Sequence, residues 1–362
     1  MGKLRLIIIN FLVLIFLFPI FDLIASNFFL KVDGFACHKI DKFYYELKKN
    51  CDGNYQFKSS FPFNKVYTDA YGLRVGKNRG KEKIRSNSIL LFGDSQTFGV
   101  GLEYESTVAG ILNKKFKNNV HNFGMGAYSP SVYLYKLQKA LKDGFEPNKI
   151  IVILDLSDVI DEGSRWIKYK DKKPQLKDDF LYNLNQHKKS NKKFIHKNFQ
   201  VSRYLASLLN SNMRVIRSKL QKKFNPQDPE KVKVSIQGSF TYNRNIFSQS
   251  EFWTKEIFDL GIGKIKKKVN EISLLAKKND FEFYLVIFPW GETLQYGQDA
   301  FNWEKFGNEI CYKNCKLINS FDKFYKKKEK DIYWYSNLYF IGDEHLNEKG
   351  NKFLAKIIEN SL

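Results

Sequence analysis

Two short stretches of the chain carry side chains that together can do nucleophilic chemistry. In Gly93-Asp94-Ser95-Gln96-Thr97-Phe98-Gly99 a serine follows the apolar run Ile89-Leu90-Leu91-Phe92, on a turn opened by glycine. A serine on such a turn presents its hydroxyl at the edge of a sheet, where a nucleophile meets substrate. The hydroxyl is a weak nucleophile at neutral pH and needs a base beside it. The second stretch, residues 342–350, supplies His345 and, two residues earlier, Asp343. Imidazole titrates in a suitable range, and a carboxylate fixes its tautomer and stabilises the imidazolium. Of the five histidines, His345 alone has a carboxylate two residues away at the mouth of a helical pattern. Asp343 by itself also reads as an ordinary helix N-cap. With the serine turn in the same chain, Ser95, His345 and Asp343 become candidate nucleophile, general base and orienting acid.

The elements that must position these residues are legible as apolar runs. Strand candidates are Ile89 to Phe92, Val120 to Phe123, Ile150 to Leu154, Phe281 to Phe288 and Lys316 to Ile318. Between them lie helical patterns, Leu102 to Phe116 and Ile257 to Lys278, with apolar residues every three or four positions. Strands alternating with helix-length segments predict an α/β fold with a parallel sheet covered on both faces. Ligands in open α/β sheets gather at the carboxyl ends of the strands. Ser95, Gly126, Ser157 and Pro289 each follow a strand candidate, so one crevice can hold them together. The glycines Gly93, Gly99 and Gly101 form neither a P-loop nor a dinucleotide fingerprint, and no cofactor or metal is expected.

The chain resembles the SGNH, or GDSL-type, hydrolase superfamily over roughly residues 60–362, with a gap in the middle. The first block, Gly-Asp-Ser-x-Thr-x-Gly, stands as Gly93 to Gly99, and residues 67–74 resemble the segment that precedes it in envelope-associated branches. Gly126, in residues 121–128, matches the glycine of the second block. Asp343 and His345 match the last, with a spacing one residue shorter than the commonest form. The third block normally offers an asparagine that donates to the oxyanion; here Ser157 stands in its place. One lost oxyanion donor costs about 3 kcal/mol of transition-state stabilisation, and a hydroxyl reaches less far than an amide. The resemblance implies a three-layer α/β/α, flavodoxin-like fold with about five parallel strands. It also implies an oxyanion hole built from the amides of Ser95 and Gly126, with Ser157 as a third donor.

The N-terminus bears on the compartment. Lys3 and Arg5 precede a nearly unbroken apolar stretch, Leu6 to Leu30. Its purely apolar part suffices for a signal peptide, and the whole for a membrane anchor. The residues three before Ala25 and Ser26 are Asp22 and Leu23, so no small-x-small cleavage site is present and an uncleaved signal anchor is the preferred reading. Basic residues at the extreme end place it in the cytoplasm and the body outside: a single-pass protein of a bacterial inner membrane, with a periplasmic body. Four cysteines, an even number, agree with an exported chain. Of the three possible pairings, Cys37 with Cys51 and Cys311 with Cys315 are the local ones. The charge of +22 comes from lysines spread over many runs, with no nucleic-acid-binding signature.

The organisation that follows is an anchor at 1–30, a connector at 31–60 and an SGNH-like domain at 61–362. The domain is interrupted at about 165–252 by a polar, basic segment. Its one amphipathic stretch, 201–224, carries Leu205, Leu208, Leu209 and Ile216 on a plausible helical face. The segment reads as a partly helical lid or as a surface excursion without a role. The expected function is a membrane-tethered serine esterase or O-acyltransferase acting on O-acyl, foremost O-acetyl, groups of an envelope polysaccharide or glycan. A membrane protein that donates acyl groups is an expected partner; nucleic acid is not. Two alternatives stand beside it: a lipid esterase, and a carbohydrate-binding or assembly protein that has lost turnover.

Overall fold

The structure, a computed structural model, describes residues 2–30, 35–58, 61–78, 86–117, 119–177, 198–203, 234–250 and 253–362, with single positions 183, 205, 206, 209, 213 and 232. The chain opens with α1 (Gly2–Ala25), continued by a π-turn over Ser26–Leu30. Residues Lys3–Phe29 are long and apolar enough to cross a membrane. A hairpin of β1 (His38–Ile40) and β2 (Tyr45–Leu47) follows, then β3 (Asp52–Tyr55), β4 (Asn64–Thr68) and β5 (Arg74–Val75). The first crossover contains β6 (Ser86–Phe92), α2 (Ser95–Phe98), α3 (Val108–Lys115) and β7 (Val120–Asn122). Next come α4 (Pro130–Lys142), β8 (Glu146–Leu154) and α5 (Ser157–Ile160). A small hairpin, β9 (Lys168–Lys170) with β10 (Lys173–Gln175), stands apart from the main sheet. The chain then runs through α6 (Lys255–Lys278), β11 (Glu282–Ile287), α7 (Trp303–Ile310), β12 (Lys316–Asn319), α8 (Phe321–Lys330) and α9 (Glu348–Glu359).

The main sheet has the order β12-β11-β8-β6-β7-β5-β4-β3. Its five parallel strands, β12 to β7, coincide with the five apolar runs of the sequence. They are continuous apolar runs because both faces are covered: Ile150 to Leu154 are all at most 1% exposed. The expectation of about five strands needs correction. Three short antiparallel strands, β5, β4 and β3, extend the sheet to eight. They have two to five residues each with polar positions among them, so they give no apolar run to read. β3 lies within the segment read from the sequence as a connector.

The expected helix over 102–116 begins later, after a 3-10 turn at Tyr104–Ser106. A short α2 begins at Ser95 and stops at Gly99, whose φ of +81° is open to glycine at little cost. α3 starts only at Val108, capped by the Thr107 hydroxyl, which accepts from the Gly110 N–H at 3.0 Å. α6 is capped by Thr254 and buries Phe258, Ile265, Val269, Ile272 and Ala276 on one stripe. It packs on α4, while α9 packs on α3. From β6 the chain steps one way to β7, then back across β6 to β8, and on to β11 and β12. Right-handed crossovers in opposite directions put their helices on opposite faces, giving three layers. The reversal leaves a crevice at the carboxyl ends of β6 and β8. Both expected local disulfides, Cys37–Cys51 and Cys311–Cys315, are present. Most of the amphipathic stretch 201–224, including Leu208 and Ile216, lies outside the described residues.

Candidate active site

β6 delivers the chain to Gly93, where a Cβ would run into the Thr97 side chain, within 2.7 Å of its Cβ. Only glycine lets the turn close so tightly. Asp94 caps α2, its Oδ1 accepting from the Gln96 N–H at 2.9 Å, and Ser95 takes the first helical position. Behind the turn lies Arg74, fully buried. Its Nη1 donates to the carbonyls of Phe98 (2.5 Å) and Gly99 (2.8 Å), and its Nη2 to that of Leu102 (2.5 Å). The guanidinium also lies 4.6 Å from the centre of the Phe98 ring. Burial pulls its pKa down to about 10, which leaves it charged at neutral pH.

His345 arrives on a loop held from two sides. The Tyr335 hydroxyl donates to the Asp343 carbonyl (3.0 Å), and the Phe340 N–H to the His345 carbonyl (2.9 Å). Buried Gln96 spans the gap between the loop and α2. Its Nε2 donates to the Glu344 carbonyl (3.1 Å) and its Oε1 accepts from the Leu346 N–H (3.1 Å). One side-chain amide thus registers the serine turn against the histidine loop, 250 residues apart.

The structure brings Ser95, His345 and Asp343 into one line. Ser95 Oγ stands 2.8 Å from His345 Nε2, and His345 Nδ1 stands 2.5 Å from Asp343 Oδ1. Lys58 donates to the other carboxylate oxygen at 2.8 Å. Burial pushes the Asp343 pKa up, but the hydrogen bonds and charges of His345 and Lys58 outweigh it and hold the carboxyl well below its usual range. Phe57 and Phe61 approach the imidazole edge-on, with ring centres 5.2 and 6.0 Å away. The arrangement can pass a proton from the hydroxyl to the imidazole while the carboxylate stays charged.

The three residues expected as oxyanion donors, Ser95, Gly126 and Ser157, all line this site. The amides of Ser95 and Gly126 have no acceptor among the described residues. A Cβ built on Gly126 would meet only the Ser95 Cβ, at 3.9 Å, so the two residues face each other. The Tyr45 hydroxyl donates to the Gly126 carbonyl (2.6 Å) and orients that peptide. Ser157 is brought to the site, but its hydroxyl is occupied elsewhere. It lies 2.5 Å from Asp155 Oδ1 and 3.1 Å from Asp94 Oδ2, and its own N–H donates to Asp155 Oδ1 at 2.7 Å. Trp290 Nε1 donates to the other oxygen of Asp155 (3.1 Å).

Asp94, Asp155, Asp158 and Asp161 are all buried in this floor. Burial pushes Asp155 and Asp158 well above the usual carboxylate range, and the neighbouring carboxylates push them further. Asp94 is raised by burial against the opposing pull of the Gln96 N–H and His345. Asp161 is lifted to about 7 by burial, with Arg165 working the other way. Burial thus disfavours the charged form of each of these carboxyls in the floor beneath the serine.

These groups open onto a cavity of about 810 Å³. Ser95 and His345 form part of its wall, with Phe35, Tyr45, Tyr55, Phe57, Arg165 and Trp290 around them. Four of those six come from residues 35–58, held by the Cys37–Cys51 disulfide. Nothing in the local pattern of that segment marked it as a wall of the site. Among the described residues, Asp343, Glu344 and His345 are the one group with three potential metal-ligand atoms close together, within 4.8 Å. Two of them are already engaged with each other, with Lys58 and with Ser95.

No family model matches the chain, and no curated protein matches it significantly. Solved structures do. A member of the lipolytic protein G-D-S-L family from Veillonella parvula superposes with a TM-score of 0.39 at 12% identity, over 75% of this chain and 96% of that one. The psychrotrophic esterase EstA from Pseudoalteromonas sp. gives 0.35 at 12% identity, over 76% and 96%. A catalytic mutant of an acetylxylan esterase from Geobacillus stearothermophilus gives 0.33 at 14% identity, over 77% and 95%. Superpositions at these scores carry no argument about chemistry.

Proposed function

We propose that this chain is a serine enzyme that cleaves or transfers O-acyl groups, held at a membrane by its N-terminal helix with its body on the outer side of a bacterial inner membrane. The observation that carries the reading is the line Ser95–His345–Asp343, with a hydroxyl-to-imidazole distance of 2.8 Å at a cavity wall. Ser95 Oγ attacks the acyl carbonyl carbon and its proton passes to His345 Nε2. The oxyanion is received by the amides of Ser95 and Gly126. Collapse of the tetrahedral intermediate expels the alcohol, which takes the proton from His345 and leaves an acyl-serine. Water or a second hydroxyl, deprotonated by His345, then removes the acyl group. Asp343 holds the imidazole and the charge it acquires.

The substrate this reading favours is an O-acetylated envelope glycan, with a membrane protein as a source of acyl groups where transfer is the outcome. The domain boundaries it adopts are an anchor at 1–30 and a body after it, interrupted at about 165–252. A second reading, a glycan-binding protein without turnover, is favoured by one observation: the hydroxyl of Ser157 is held by carboxylates and offers the oxyanion nothing.

Labelling of the detergent-solubilised full chain with a fluorophosphonate, beside p-nitrophenyl acetate hydrolysis, separates the two. The enzyme reading expects labelling and turnover in the wild type. Labelling disappears in Ser95→Ala, and turnover falls by about 10⁴ or more in His345→Ala. A folded wild type that neither labels nor turns over, yet retains acetylated oligosaccharide, would establish the second reading.

A further inference from the structure

Nearly every large side chain of α1 is exposed, as a span's would be; Asp22, Ala25 and Ser26 are buried. Asp22 is 0% exposed and accepts four hydrogen bonds. Its Oδ1 receives the Ser26 hydroxyl (2.7 Å) and the Val201 N–H (2.9 Å), and its Oδ2 receives the Ser202 N–H (2.8 Å) and the Ser202 hydroxyl (2.5 Å). Ser26 Oγ in turn accepts from the Gln200 N–H (2.6 Å), and Asn27 donates to the Asn198 side chain (2.9 Å). Residues 200–203, 205, 206, 209 and 213 are helical. Asp22 therefore caps a second helix, satisfying first-turn N–H groups that have no partner of their own.

The position of that cap along α1 matters. From Lys3 to Asp22 the helix rises about 29 Å at 1.5 Å per residue, the thickness of a bilayer's hydrocarbon core. Asp22 thus stands at the far interface, and the helix it caps begins at that level. Leu205, Leu209 and Met213, each at a helical position, recur every fourth residue, the spacing of one helical face, and all three are exposed, Leu209 by 64%. Phe28 and Phe29, just past Asp22, are the most exposed pair of rings nearby, Phe29 by 77%.

We propose that Leu205, Leu209, Met213, Phe28 and Phe29 seat in the near leaflet of the phospholipid bilayer, as a second membrane contact joined to the span through Asp22. The occupant is lipid because the stripe continues from a span and is fixed at interface depth by a polar clamp. The same clamp makes α1 a permanent part of the protein: cleavage after it would strip the insert of its cap. The contact also sets the height of the cavity. Arg203 donates to Gln56 (3.4 Å), next to the cavity residues Phe57 and Lys58. Phe35, on the cavity wall, follows Leu30 by five residues, at most about 18 Å of chain. The site works within reach of the membrane surface. The inference rests on the tethering in the proposed function and not on its chemistry.

All four cysteines are in disulfides, so a single added cysteine can be labelled selectively. The full chain carrying Leu209→Cys with an environment-sensitive fluorophore, in phosphatidylcholine–phosphatidylglycerol vesicles, is compared with a label at exposed Ile332. The expected result is quenching at 209 by brominated acyl chains and at least about threefold weaker quenching by iodide than at 332. Asp22→Ala is expected to abolish that difference while fluorophosphonate labelling of Ser95 persists. Protein recovered from membranes should retain residues 1–25 by mass. Equal iodide quenching at 209 and 332, or shielding at 209 that appears without vesicles and grows with protein concentration, overturns the proposal; so does loss of residues 1–25 from the mature protein.

Discussion

Arg74→Met tests whether the serine turn depends on the cation buried behind it. The guanidinium serves three carbonyls, those of Phe98, Gly99 and Leu102, and the Gly99 carbonyl also accepts from the Leu102 N–H at 3.3 Å. Hydrogen bonds to a charged group contribute about 1.5–3 kcal/mol each, so their gross loss is about 5–9 kcal/mol. Against this, the cation no longer has to be desolvated; its pKa, depressed to about 10 by burial, reports that cost, which is several kcal/mol for a buried ion. The net loss is about 2–4 kcal/mol. Methionine fills similar volume over the Phe98 ring, so little of the loss comes from a cavity. Arg74→Lys keeps the charge, but one ammonium cannot serve carbonyls on both sides of the Gly99 bend, and the loss should be about half. Urea unfolding followed by tryptophan fluorescence, with fluorophosphonate labelling below the transition, reads both effects. The midpoint should fall with unchanged slope, and labelling should slow about tenfold as the Phe98–Gly99 peptide loses its support. An Arg74→Met protein within about 1 kcal/mol of wild type and labelling at the wild-type rate would refute the bracing role.

Other outcomes follow from the same geometry. Ser157→Ala should cost less than about tenfold in acylation rate, since its hydroxyl serves Asp155 and Asp94; a loss of about a hundredfold or more would show that it turns to the oxyanion. Asp161 has a folded-state pKa of about 7, raised from an ordinary 3.8. Its protonated form fits the fold, so the stability it permits is full below 3.8 and is lost as pH rises toward 7. Asp161→Asn should therefore flatten the decline in urea midpoint between pH 4 and pH 8; an unchanged decline would place the titration elsewhere. Replacing Cys37 and Cys51 by serine opens a loop with a sequence separation of 14 and should cost about 3 kcal/mol. It should also raise KM for bulky esters more than it slows serine labelling, because the hairpin forms a wall of the cavity.

The legible and illegible parts of the molecule divide by the range of the interaction. The five parallel strands and the glycine-opened turn are local: burial on two faces writes an apolar run, and a close approach writes a glycine. The juxtaposition of Ser95, His345 and Asp343 was readable because the chemistry proposed for them demands a residue type for each role. Arg74, Gln96 and Lys58 were not, since their work is a contact with elements 24 to 285 residues away and leaves no periodic mark. The direction of the Ser157 hydroxyl follows from carboxylates that only the fold brings beneath it. β3 to β5 went unread because an edge extension of two to five residues needs no apolar run.

The Gln96 bridge has a consequence for timing. The serine leaves the ribosome long before its base: 250 residues separate Ser95 from His345. At about 5–20 residues per second, that interval lasts about 12–50 s. During it the emerging chain carries a serine with no imidazole to activate it and a glutamine with nothing to hold. On the proposed chemistry, activity waits for the arrival of that one late loop, and a chain stalled before it is chemically silent.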